Sequence, residues 1–162
     1  MRSFSSLSRI AGAFCALMIL LIVSLPAAAE GLPVSALKIT GSNGKSHEFK
    51  VEVAASAPTR ATGLMNRKSL AAGEGMIFIF PQPKDVMMWM KDTLIPLDML
   101  FIDTSGKVIN IAENTKPMDE TIIPSRGLSA YVLELAGGEA RRLHLAAGDK
   151  LSGAALAFKA KD

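Results

Sequence analysis

The apolar positions of this 162-residue chain fall into many short runs, most with a period of two. Leu37-Lys38-Ile39-Thr40 alternates, and Gly41-Ser42-Asn43-Gly44 has turn chemistry. From His47 to Ala54 the alternation resumes, with Phe49, Val51 and Val53 on one side and Lys50 and Glu52 on the other. That pattern predicts a hairpin with one wet face. A single helical segment follows. Ser56 supplies a capping side chain, Pro58 suits a first turn, and Thr59 to Leu70 would place Arg60, Leu64 and Arg67 on one face. Gly63 weakens such a helix and points to close packing by a neighbour.

The densest apolar stretch runs from Gly75 to Asp103. It holds the chain's only Trp, five of its nine Met and three of its seven Phe. Met76 to Phe80, Val86 to Lys91 and Leu97 to Asp103 read as three strands, with Pro81-Gln82-Pro83-Lys84-Asp85 and Asp92 to Pro96 as loops. Further strands are expected at Lys107 to Ala112, Tyr131 to Leu135 and Leu151 to Phe158. Glu113 to Gly127 reads as a long polar loop, and Glu139 to Leu143 as a helical turn. About eight short strands and one early helix make the fold class mainly β, a compact sandwich or squat barrel.

The first 29 residues break this pattern. Arg2 and Arg9 precede an apolar run from Ile10 to Leu25, and Ala27-Ala28-Ala29 is a small-residue cleavage pattern. A secretory signal peptide is therefore expected at 1–29, followed by a single β-rich domain at 30–162. The protein is expected to be exported, periplasmic or secreted, and to touch a membrane only through the leader before cleavage. Cys15, the only cysteine, lies in the leader behind Phe14, which does not suit a lipoprotein site. The processed domain then has no disulfide and must be held by its core. Of 18 Lys and Arg, two belong to the leader, leaving 16 against 15 acids. That near balance gives no support for nucleic-acid binding.

Strand parity then sorts the polar residues. Asp98 is in phase with Leu100 and Ile102, Glu134 with Val132 and Ala130, and Lys91 with Trp89 and Met87. A charge in phase with apolar side chains must be paired or must line a wet cleft, because an unpaired buried charge costs several kcal/mol. Arg60, Arg67 and Lys91 against Asp98 and Glu134 could form a structural ion-pair network. The alternative is a ligand site built from Arg60, Arg67, Lys91, Asp92, Thr93, Asp98 and Glu134. The ligand expected there is a small molecule, a saccharide or an envelope protein.

Enzyme chemistry has few footholds. No phosphate-binding glycine loop is present, and His47 and His144 have no metal-ligand spacing. Asp98 and Glu134 could act as acid and base on an envelope saccharide if their carboxyls lay about 5–10 Å apart across a cleft. Met88 and Met90 would share a strand face and could offer thioethers to Cu(I) or Ag(I), although Met on strands more often fills a core. No cofactor is expected.

Arg60, Gly63-Leu64-Met65, Arg67, Gly75-Met76, Phe78, Phe80, Trp89-Met90-Lys91, Thr93, Ile95-Pro96-Leu97-Asp98 and Phe101 together resemble the domain of unknown function numbered 192. Val132-Leu133-Glu134-Leu135, Gly138 and Gly148-Asp149 resemble its C-terminal half. The resemblance spans roughly Leu37 to Leu151 and implies a compact β-sandwich-like domain; it implies no established activity. Two positions depart from the family's usual pattern, Met88 where Phe is typical and Asp92 where Asn is typical.

Overall fold

A computed structural model describes residues 31–162; the leader expected at 1–29 lies outside the described residues. The first two strands, β1 (Val34–Thr40) and β2 (Ser46–Ala54), form the expected hairpin, with Leu37 opposite Phe49 and Ile39 opposite His47. Helix α1 (Ala57–Thr62) follows. Ser56 and Thr59 cap it reciprocally, each side chain bonding the other's backbone N–H. The helix ends at Gly63, whose φ of 47° and ψ of −134° belong to a region open essentially only to glycine. It is therefore shorter than its composition predicts, and Arg60, Leu64 and Arg67 do not share a helical face.

The next strand, β3 (Glu74–Met88), is one element where the sequence suggests two strands and a loop. Between the pairs Ile79–Tyr131 and Lys84–Ser129, β3 carries four residues and its neighbour one. Pro81 and Pro83 fall in that bulge, where their missing N–H groups break no ladder bond. A second irregularity lies between Asp85 and Met87, and there the Val86 N–H is satisfied by the Ser125 hydroxyl at 3.0 Å. Strands β4 (Leu97–Ile102), β5 (Val108–Ala112) and β6 (Ile123–Ala136), short helix α2 (Glu139–Leu143) and β7 (Lys150–Ser152) complete the order. Ala154–Ala157 forms a turn of 3-10 helix instead of extending the last strand.

The described residues thus contain seven strands in one curled sheet, a half-barrel ordered β5-β4-β6-β3-β2-β1-β7. The count falls below eight because β3 is continuous, while β6 absorbs the end of the expected polar loop. All neighbouring pairs are antiparallel except β2 and β3, whose parallel pairing is permitted by the crossover through α1.

Alternation on this sheet creates two apolar layers. Leu37, Ile39, Phe49, Val51, Val53, Ile77, Leu100, Ile102, Leu133 and Leu135 share one, covered by Ala140 and Leu145 near α2 and by Ala155. Met76, Phe78, Met99, Phe101 and Val132 share the other, joined by Leu64, Val86, Met90 and Leu97. β4 is buried along its whole length, as expected for a strand covered on both faces.

Candidate functional site

The layer built on Met76 and Phe78 is incompletely covered. Where α1 ends, a cleft of about 540 Å³ opens between the 57–65 segment and β3. Its lining includes Phe78, Phe80, Met65, Met87, Met88 and Trp89, together with Arg60, Lys84, Lys91, Thr93 and Glu134. Gly63 allows this geometry, since a Cβ there would stand 3.0 Å from the Phe78 ring. The close packing expected at Gly63 is thus with the aromatic ring of the cleft.

Glu134 occupies the base. It lies opposite Met76 on β3 and Met99 on β4, within the apolar layer. Its side chain is 4% exposed and makes no hydrogen bond or ion pair with another described residue. Burial without a compensating partner pushes its carboxyl up to about 8, so the neutral acid is the main form at pH 7. A neutral carboxyl can both donate and accept, which an ionised one cannot.

Asp98 is also fully buried, but by a different arrangement. The register sets it opposite Leu135, one residue from Glu134, so the two side chains leave opposite faces of the sheet. Its Oδ1 accepts the N–H groups of Asn114 at 2.6 Å and Gly138 at 3.0 Å, and its Oδ2 accepts that of Ala140 at 2.7 Å. Asp98 therefore holds the turn after β5 and the start of α2 against β4. Three backbone donors replace the cationic partner that its burial suggests. The carboxylate pair needed for glycosidic acid–base work is not formed, because the sheet itself separates Asp98 from Glu134.

The expected ion-pair network is also absent among the described residues. Arg60 pairs with Asp162 and donates to the carbonyls of Ala55 and Ile79 at 2.9 and 3.0 Å. Arg67 is exposed, lies outside the cleft and clasps both Glu52 oxygens at 2.7 and 2.6 Å. Lys91 and Lys84 enter none of the ion pairs among the described residues. Each stands over an aromatic ring: Lys84 Nζ lies 5.1 Å from the centroid of Phe80, and Lys91 Nζ 5.7 Å from that of Trp89.

Of the residues singled out from sequence, Arg60, Lys91, Thr93 and Glu134 meet at the cleft, while Arg67, Asp92 and Asp98 do not line it. Thr93 is buried, and its hydroxyl donates to the Lys91 carbonyl at 3.1 Å. Met88 lines the cleft, but Met90 is fully buried with the Thr115 hydroxyl 3.0 Å from its sulfur. Met88 and Met90 therefore do not present a common thioether pair. Sequence reasoning missed Phe80 and Lys84 as a pair, because the Pro-Gln-Pro-Lys-Asp segment reads as a loop and hides the strand that holds both.

The family profile described as "Uncharacterized ACR", DUF192, matches residues 38–153. The chain belongs to the DUF192 family. Every residue of the cleft named above falls inside that match. A crystal structure from Sinorhizobium meliloti 1021, provisionally named a transcription regulator, is 41% identical with a TM-score of 0.76; the alignment covers 79% of this chain and 99% of that one. A protein of unknown function from Novosphingobium aromaticivorans DSM 12444 is also 41% identical, with a TM-score of 0.72 and coverage of 76% and 88%. No curated protein matches the chain.

The two departures from the DUF192 pattern have structural readings. Asp92 has a φ of 52°, in the left-handed region that Asn and Asp tolerate better than most residues. Its carbonyl accepts the Asn66 N–H at 2.8 Å, tying the turn to the segment after α1. Met88 packs half-buried against the Met76 and Phe78 layer, an apolar role that Phe would also fill.

Proposed function

We propose that this DUF192 domain is an exported, non-catalytic binding module whose ligand enters the cleft above Glu134. Export is supported by the leader pattern of residues 1–29. The observation that carries the binding reading is a buried carboxyl, without a hydrogen-bond or ion-pair partner among the described residues, facing an open cleft of about 540 Å³. A carboxyl set in an apolar layer is poorly hydrated, and a ligand hydrogen bond would offset part of that cost. The cleft's size and its mix of aromatic walls with few polar groups suit a small molecule. The separation of Asp98 from Glu134 on opposite faces of the sheet gives no support to the two-carboxylate hydrolase. The regulator label of the Sinorhizobium relative is not carried over, since the processed chain is close to charge balance.

Native mass spectrometry of the processed protein, isolated without denaturation, tests this reading. The expected result is an adduct of a few hundred daltons, recovered chemically unchanged and lost when Ala61, an α1 residue that lines the cleft, is replaced by the larger Trp (Ala61→Trp). An adduct that persists in Ala61→Trp would place binding elsewhere. Steady conversion of the recovered molecule by fresh protein would make the domain an enzyme.

A further inference from the structure

The charges around the cleft bear on what it takes, given that the cleft is a binding site. From α1 comes Arg60, already engaged by two carbonyls and Asp162. From β3 come Lys84 and the exposed Asp85, from the following turn Lys91, and from β6 Glu134. Met76 and Met99, the cross-strand neighbours of Glu134, carry no charge. The mouth thus offers two ammoniums that enter no ion pair among the described residues, each standing over a ring that forms part of the wall.

A cationic ligand would have to pass both lysines and ionise Glu134 in an apolar layer. A neutral sugar would leave both ammoniums without a counter-charge. An anion with an apolar body meets the lysines, the rings and the neutral Glu134 at once, with only the exposed Asp85 opposing it. Its head is attracted to the lysines, its body covers the rings, and a proton-bearing Glu134 adds no repulsion from below.

We propose that the cleft binds an organic anion with an apolar body, its head group held by Lys84 and Lys91 and its body lying against Phe80 and Trp89 above Glu134. Ionisation of Glu134 would then oppose binding, so affinity should fall as pH rises from about 6.5 to 9.

Two dyes test this. 1-Anilinonaphthalene-8-sulfonate is an anion, and N-phenyl-1-naphthylamine is its uncharged counterpart. Trp89 is the only tryptophan and lines the cleft, so energy transfer from it reports dye bound to the domain, and sensitivity to the lysine substitutions below reports binding at the cleft. The anionic dye should bind at least about tenfold more tightly than the neutral one, a difference of roughly 1.4 kcal/mol. Lys84→Met with Lys91→Met should weaken the anionic dye by at least about tenfold and the neutral dye much less. Decanoate should displace the anionic dye at concentrations where decanol does not. Glu134→Gln should bind the anionic dye with little dependence on pH. Equal affinity for both dyes, or indifference of the anionic dye to the lysine substitutions, overturns the anion proposal and leaves the binding reading standing. Energy transfer to neither dye, in protein that circular dichroism shows to be folded, overturns both.

Discussion

At the scale of single residues, Glu134 and Asp98 show how burial alone leaves a carboxylate's role undecided. Both lie in apolar phase on central strands, and both are almost completely removed from water. Asp98 meets three backbone N–H groups and Glu134 meets none. Alternation made the burial of both legible in the sequence. The partners were not legible, because Asn114, Gly138 and Ala140 reach Asp98 only through long-range folding. Glu134 has a consequence for stability. Its folded-state value of about 8 lies above the 4.5 of the free side chain. The native state therefore holds the proton more tightly than the unfolded chain does. The associated stability is fully present below about pH 4.5 and is lost as pH rises through about 8. At 4% exposure, little solvent screening applies, and the loss should be on the order of 4 kcal/mol. Urea denaturation between pH 5 and 9 should show wild-type stability falling across that window. Glu134→Gln should remove most of the fall and be the more stable protein at pH 9. Parallel curves for the two proteins would mean that Glu134 is hydrated.

At the scale of elements, the hairpin β1–β2 was the easiest part to read, since Phe49, Val51 and Val53 alternate without interruption and the turn residues bound it. β3 was the hardest. Pro81 and Pro83 look like loop residues, and only the bulge against Tyr131 and Ser129 shows how a strand can contain them. Helix α1 is shorter than its composition predicts for a related reason. Composition continues to permit helix after Thr62, but the Phe78 ring occupies the space that a side chain at Gly63 would need. Gly63 thus ends the helix, turns the chain and gives the cleft its wall. Gly63→Ala should cost about 1–3 kcal/mol, from an unfavourable backbone region and a Cβ placed 3.0 Å from the ring. The urea midpoint should fall, and the Phe78 ring resonances should shift together with those of Phe80. A substitution that leaves both unchanged would show that α1 can extend past Thr62 without disturbing the cleft.

At the scale of the whole molecule, the curl of the sheet brings its two edge strands together. The single bridge between Lys107 and Lys150 joins them, supported by Val108 N–H to Asp149 O at 2.9 Å and Leu151 N–H to Gly106 O at 2.7 Å. Asp149 secures this seam from within. It is 2% exposed, and its carboxylate accepts from Ser42 N–H at 3.0 Å and Ala146 N–H at 2.8 Å, linking the β1–β2 turn to the turn before β7. The cleft depends instead on β3 and β6, the middle of the sheet, where pairing is most extensive. Edge and centre should therefore open at different free energies. Asp149→Ala leaves two backbone donors without their acceptor, at a cost of about 1–3 kcal/mol each if water does not replace it. Hydrogen exchange should then accelerate at Val108 and Leu151, while Ile77 and Leu133 in the centre keep the protection of the wild type relative to global unfolding. Uniform acceleration at all four amides would make the seam part of one cooperative unit with the cleft. Selective acceleration would mean that the half-barrel can loosen along its edge while the cleft-lining strands β3 and β6 remain paired.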